Sequence, residues 1–357
     1  MRKDIHLLFS FIIFVFLNCS LALEITNGEN RTRSSPGKSG LRERQIVFKE
    51  ELSIGAIDGD EKYIFHQPFD LKVDDQGNIY ILDSGNFRIQ KFDRNGKYIS
   101  SIGRKGQGPG EFLNCQDLDL DRDANLWIFD PENNRISGFT PEGKYANSIK
   151  LEFPPRFGAI DSENNIYVYE QYKGKLIHKY DTSGKIVCSF MDEIKFEPKR
   201  AEPHVNGLGR IAVHDDKIFL SMIYPYTIYV FSKQGELLKK MSKKVPYSKP
   251  PFISPEGVVI TNFIITGLSI SPNGTIFNKA TFIEIPKNWK EKIGEITSHL
   301  FDNSFIDVFD SAGSHLFHYK SPGLTWSCCF DMRGYFYAIE EDAKGFFKVV
   351  KYSITFK

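Results

Sequence analysis

The chain has 357 residues, with 46 basic and 45 acidic side chains and a net charge of +1, so no global field selects nucleic acid or an anionic bilayer. Isoleucine (38) and phenylalanine (31) outnumber leucine (23) and alanine (11). β-Branched and aromatic side chains suit packed strands, which argues against both an all-α protein and a doubly wound α/β fold.

In chain order, Arg2 and Lys3 precede an apolar run from Leu7 to Leu17 broken only by Ser10. Eleven residues fall short of the roughly 20 that span a bilayer, so residues 1–22 read as a secretory signal. Two processing readings stay open. Ser20 and Ala22 place small residues for cleavage before Leu23, whereas Cys19 follows the run as a lipoprotein cysteine would. Residues 23–44 are polar, without hydrophobic period, and read as a flexible leader. The chain is expected to be exported, periplasmic or extracellular, with a lipid anchor at Cys19 as its one membrane link.

From residue 45 to 357 one unit recurs. It is a β-run, a turn rich in Asp and Gly, then a short aromatic-aliphatic strand. The turns centre on residues 77, 124, 164, 216, 274 and 334. A second turn follows the first four at offsets of 19, 19, 20 and 19, at Gly96, Gly143, Gly184 and Gly235. In the fifth unit the offset is 39, at Gly313, which implies an insertion. Each unit holds four short β-runs; in the first they are Phe69–Val73, Asn78–Leu82, Arg88–Phe92 and Lys97–Ile102. Tight turns make neighbours antiparallel. Six such meanders predict an all-β, six-bladed β-propeller of four-stranded antiparallel blades. The sixth unit has only three runs of its own, so Gln45–Ile54 is expected to close the last blade as its outer strand. In the insertion, Trp289, Ile293, Ile296 and Leu300 recur at helical spacing after Pro286, predicting an amphipathic helix near 286–302. The loops 191–206 and 242–256 are expected to decorate one face.

The first unit reads Pro68-Phe69-Asp70, Gly77-Asn78-Ile79-Tyr80 and Asp83-Ser84-Gly85-Asn86-Phe87-Arg88-Ile89; the second repeats Asp130-Pro131-Glu132-Asn133-Asn134-Arg135-Ile136. The linker from Gly103 to Phe112 completes the pattern. In these residues the chain resembles the NHL-repeat, six-bladed propeller family, above all its exported bacterial members. The resemblance is sharp over 65–150 and fades after about 190. Amidating lyases related to that family place several channel histidines around zinc, and this sequence does not reproduce their constellation. Lactonase-type propellers hold a metal with scattered Glu, Asn and Asp.

Ligands of propellers sit where loops enter the innermost strands. Seven residues before each first turn stand Asp70, Asp117, Phe157, Gly209, Gly267 and Ser327, with Arg156 and Trp326 one step earlier. Two carboxylates near an arginine could bind a cation or a polar ligand. Alternatively, they bond backbone amides at strand starts. His66 and His204 precede the turns of opposed units 1 and 4 and are weighed as metal ligands against surface loop histidines. Gly106, Gly108 and Gly110 enclose Pro109 with no helix pattern after them, so that segment is a turn and not a phosphate loop. Cys115, Cys188, Cys328 and Cys329 are expected as free thiols, the last two facing opposite ways. No catalytic residue and no cofactor is assigned, with Ca or Zn as the alternative. The expected function is a monomeric, exported, non-catalytic scaffold that presents a propeller face to a protein, peptide or glycan partner in the cell envelope. The alternative is a metal-dependent propeller enzyme of the lyase or lactonase type.

Overall fold

The computed structural model describes residues 46–357 apart from 198, 244, 246–249, 254–258, 262, 283–303, 321–323 and 342–344; side chains at 204, 259, 260, 263 and 324–326 are also outside it. Among the described residues, six four-stranded antiparallel sheets stand in a ring. The molecule is a six-bladed β-propeller. Phe252–Ile253 and Val259–Ile260 add a small hairpin between blades 4 and 5.

The strand pattern follows from the ring. In blade 1, Ile79 and Ile81 face the seam with blade 6, while Tyr80 and Leu82 face the seam with blade 2. In blade 2, Leu126 and Ile128 look back to blade 1, and Trp127 and Phe129 look forward to blade 3. Side chains alternate at period two, but both faces are covered, so the strand reads as a continuous apolar run. The core is a set of seams between neighbouring blades rather than one central mass. Cys328 and Cys329 obey the same alternation: one packs in the seam with blade 5 and the other in the seam with blade 1. All four described cysteines are free thiols, and Cys188 is only half-buried.

One carboxylate fixes the first turn in four of the six blades, 1, 2, 3 and 6. Asp74, Asp121, Asp161 and Asp331 accept from the backbone N–H four residues on at 2.8–2.9 Å. Each also accepts from an aromatic side chain six residues on: Tyr80, Trp127, Tyr167 and Tyr337, at 3.1, 3.1, 2.9 and 3.1 Å. The recurring aromatic is therefore both seam filler and turn clamp. At the other end of these strands Arg88 Nε donates to Asp83 Oδ2 at 2.8 Å, and Asp130 Oδ2 accepts from Leu113 N–H at 3.1 Å and Asn133 Nδ2 at 2.7 Å. Arg135 donates to the carbonyls of Gln107, Gly108 and Glu111, which makes the glycine-rich segment a braced inter-blade turn.

Ile46–Ile54 pairs antiparallel with Phe347–Phe356, Ile46 opposite Phe356 and Ile54 opposite Val349. The last sheet is thus built from both ends of the ring, as expected. A short helix, Glu202–Gly207, occupies what reads as loop in the sequence; Pro203 starts it, and the Asn206 side chain both accepts from Ile194 N–H (2.9 Å) and donates to Ile194 O (3.0 Å). The insertion of unit 5 lies between strands Ile276–Phe282 and Ser304–Phe309. The helix expected at 286–302, and the signal and leader at 1–44, lie outside the described residues.

Candidate functional site at the channel

The innermost strands are Pro68–Val73, Asp117–Leu120, Phe157–Ile160, Arg210–His214, Phe263–Ile270 and Leu324–Phe330, and each neighbours the next around a closed ring. Their axial edges have no sheet partner, so their buried polar groups need other ones. Asp70 Oδ2 accepts from Leu118 N–H of blade 2 at 3.2 Å. Asp117 Oδ2 accepts from Gly158 N–H of blade 3 at 2.8 Å, and Asp119 Oδ2 from Ile160 N–H at 2.8 Å. From blade 6, the Ser327 hydroxyl donates to Asp70 Oδ1. The acids thus bond backbone amides, but those of the following blade, and they stitch blades 6, 1, 2 and 3 together.

Lys72 Nζ lies 3.7 Å from both Asp70 Oδ2 and Asp119 Oδ1. Asp70 and Asp117 meet carboxyl to carboxyl. Neighbouring carboxylates disfavour each other's ionisation, so their proton affinities are driven apart. Burial and the charge of Asp70 push Asp117 well up. Burial also opposes ionisation of Asp70, but the Lys72 ammonium and the hydrogen bonds from Asp117 and Ser327 bring it below its ordinary value. Burial raises Asp119.

The arginine facing the acids is Arg210, whose guanidinium lies 3.8 Å from the centroid of the Phe157 ring and donates to Gly209 O at 3.0 Å. Arg156 pairs with Glu170 at 2.8 Å. Burial pushes the Glu170 carboxyl up, and Arg156 opposes that. Gly209 takes the place of an acid because a Cβ there would lie 2.5 Å from Ser221 O.

Asp70 and Asp117 are therefore brought together, with Ser327 beside them. Arg156 is set in its own pair. His66 is exposed, its backbone N–H donating to Asp83 Oδ1 at 2.7 Å. His204 sits in the short helix before blade 4 and Trp326 on the inner strand of blade 6; both side chains lie outside the described residues. Lys72, Asp119 and Arg210 were not singled out from the sequence. The first two lie two residues after Asp70 and Asp117, on the same face of their strands, and that alternation is the signal that marks them.

Residues 62–250 match the family model for a domain of unknown function, DUF4934. The chain belongs to that family. The DUF4934 match takes in blades 1 to 4, including the channel residues Asp70, Asp117, Asp119, Arg156, Glu170 and Arg210. Protein brain tumor of Drosophila melanogaster is 23% identical over 219 residues, covering 61% of this chain but 16% of that protein. Among solved structures, a DUF4221 member from Bacteroides vulgatus superposes with a TM-score of 0.60 at 12% identity, over 88% of this chain and 99% of that one. A Bacteroides fragilis protein named as exported gives 0.59 at 12%, over 88% and 96%. A catalytically inactive virginiamycin B lyase from Staphylococcus aureus, with quinupristin, gives 0.52 at 13%, over 87% and 99%. At these identities the likeness is one of fold. Among the described residues, no helix is long and apolar enough to cross a membrane, and no group of three His, Cys, Asp or Glu side chains could hold a metal ion.

Proposed function

We propose that the chain is an exported scaffold of the NHL-repeat type that binds a protein, peptide or glycan partner in the cell envelope through one propeller face. The observation that carries this reading is the use made of Asp70, Asp117 and Asp119. Their carboxylate oxygens accept inter-blade amides and face Lys72, so the channel acids act as stitching. A ring tied in this way presents its loops on a stiff frame, which lowers the ordering cost of binding. The exported neighbour and the apolar run at Leu7–Leu17 support an extracytoplasmic place. The test is capture of a partner from the envelope fraction, repeated with loops 191–206 and 242–256 replaced by short Gly/Ser turns. Capture lost with one loop set and kept with Asp70→Asn supports the reading; capture insensitive to both loop sets refutes it.

A second reading is favoured by one observation, the neighbouring Asp70 and Asp117 carboxyls beside Lys72 and Arg210. Paired acids with separated proton affinities are the material of general acid–base chemistry. A channel-mouth enzyme of the lyase or lactonase type would carry stoichiometric Ca or Zn, lost together with activity on a quinupristin-like ester or a lactone in Asp70→Ala and Asp117→Ala. Metal-free purified protein with no turnover of either substrate class sinks this alternative.

A further inference from the structure

The stitches cover half of the ring. Side chains of the innermost strands tie blade 6 to 1, 1 to 2 and 2 to 3. At the same register, blades 3, 4 and 5 carry Phe157, Gly209 and Gly267, which have no polar side chain to offer. Arg156, one step before Phe157, is paired with Glu170. Four other polar side chains at this level can all donate. Arg210 opens the innermost strand of blade 4, Arg210–His214. Its cross-strand partner Ser221 is buried, as is Thr266 on the innermost strand of blade 5, and neither hydroxyl has a hydrogen-bond partner among the described residues. In blade 3 Tyr169 is 1% exposed, and its hydroxyl proton finds no acceptor among those residues.

Arg210 and Tyr169 meet at Gly209. Arg210 Nη1 donates to Gly209 O at 3.0 Å, and the Tyr169 hydroxyl lies 3.0 Å from the point where a Cβ on Gly209 would stand. Phe157, the direct cross-strand partner of Tyr169, carries the guanidinium 3.8 Å from its ring centroid. A guanidinium held over a ring keeps its N–H edge for a second partner. Arg210 is half-buried, and among the described residues no carboxylate stands at ion-pair distance from it. Asp70 and Asp117 act on its charge from farther off, while their own contacts are Lys72 and the amides of Leu118 and Gly158. Burial raises Asp117 and Asp119, which lowers the negative charge set against Lys72 and Arg210. A buried donor without an acceptor is costly to keep, so such a group calls for an explanation.

We propose that Arg210, with Tyr169 beside it, anchors the carboxylate of a small acidic ligand in the blade 3–5 half of the channel. The planar fork of a guanidinium matches the two oxygens of a carboxylate and gives two parallel N–H···O bonds. The Tyr169 hydroxyl supplies a further donor, and Ser221 and Thr266 add two more from blades 4 and 5. Gly209 and Gly267 leave this wall bare where blades 1 and 2 carry acids. The inference does not rest on the scaffold reading, which places the partner on the loops, nor on the acid–base reading, which uses Asp70 and Asp117.

The test is calorimetric titration of the full chain with succinate, D-glucuronate and tri-alanine, each beside a counterpart without the carboxylate: succinamide, glucose and tri-alanine amide. The expected result is one ligand per chain for at least one acid and no binding of its counterpart; which acid binds tells a free diacid, an acidic sugar and a peptide end apart. Arg210→Gln and Arg210→Lys should each weaken binding at least tenfold, the second because an ammonium lacks the fork. Arg210→Lys keeps the charge that faces Asp70 and Asp117, so it serves if the Gln variant does not fold, as judged by circular dichroism. Tyr169→Phe should weaken binding at least threefold while its thermal midpoint stays level or rises, since it removes a hydroxyl without an acceptor. No acid bound by the parent, equal binding of the counterparts, or binding untouched in the Arg210 variants or in Tyr169→Phe overturns the proposal.

Discussion

Replacing Asp117 with Asn tests the raised carboxyl directly. In the native ring burial and the charge of Asp70 hold the Asp117 carboxyl well above the ordinary carboxylate range, near pH 4, of the unfolded chain. A group raised on folding contributes stability that is fully present below its unfolded pKa and is lost as pH rises through its folded one. The contribution of Asp117 to stability should therefore be lost as pH rises from the ordinary carboxylate range through its raised pKa, a fall read as the difference between parent and variant. Asparagine copies the protonated acid: its carbonyl can accept from Gly158 N–H, and its amide can donate to Asp70. Asp117→Asn should cost less than about 1 kcal/mol at pH 7, one ordinary hydrogen bond being worth about that much, and should reduce the decline with pH. Asp70→Ala is the contrast. It strands Leu118 N–H and the Ser327 hydroxyl, each about 1–3 kcal/mol when buried without a partner, so a loss of about 2–5 kcal/mol is expected. Lys72 keeps Asp119, which limits the damage. Urea denaturation followed by tryptophan fluorescence at pH 5, 7 and 8.5 measures both. An Asp117→Asn variant as damaged as Asp70→Ala, or one with the parent's full pH dependence, would refute a raised Asp117 carboxyl.

Three further outcomes follow from other parts of the ring. Trp127→Phe keeps the seam filled but removes the bond to Asp121; a loss of about 1 kcal/mol in a thermal or urea melt is expected, and no loss would remove the turn clamp from the account. Deleting residues 46–54 bares one edge of the last sheet and empties Ile54 from the seam with blade 1; size-exclusion chromatography should show self-association and melting should lose cooperativity, whereas a monomer with the parental midpoint would contradict closure by that strand. Burial lowers the Lys279 ammonium to about 7. Because the unfolded lysine keeps its proton to a higher pH, the contribution of Lys279 to folding stability should rise between about pH 7 and the ordinary lysine range near 10.4, against the fall contributed by Asp117. Lys279→Met should flatten that rise, and an unchanged slope in the variant would show that Lys279 is not its source.

Short-range chemistry made the fold readable. The residues that shape each turn and clamp it, such as Asp121, Asn125 and Trp127, lie within six positions, so the repeat shows itself as regular spacing. The continuous apolar runs likewise announce strands covered on both faces. Even the closing strand could be deduced, because the sixth unit lacks one run and residues 45–54 have no other home. The channel was readable only in part. Asp70 and Asp117 stand at register positions, and Lys72 and Asp119 follow by alternation. The choice between ligand binding and stitching was out of reach, since it depends on Leu118, Gly158 and Ser327 arriving from other blades. The same holds across the channel. Nothing near Arg210 in sequence marks it until the ring sets it over Phe157 and beside Tyr169 of the preceding blade. Turn and strand are decided by neighbours in sequence, whereas the partner of a buried charge is decided by which blades touch.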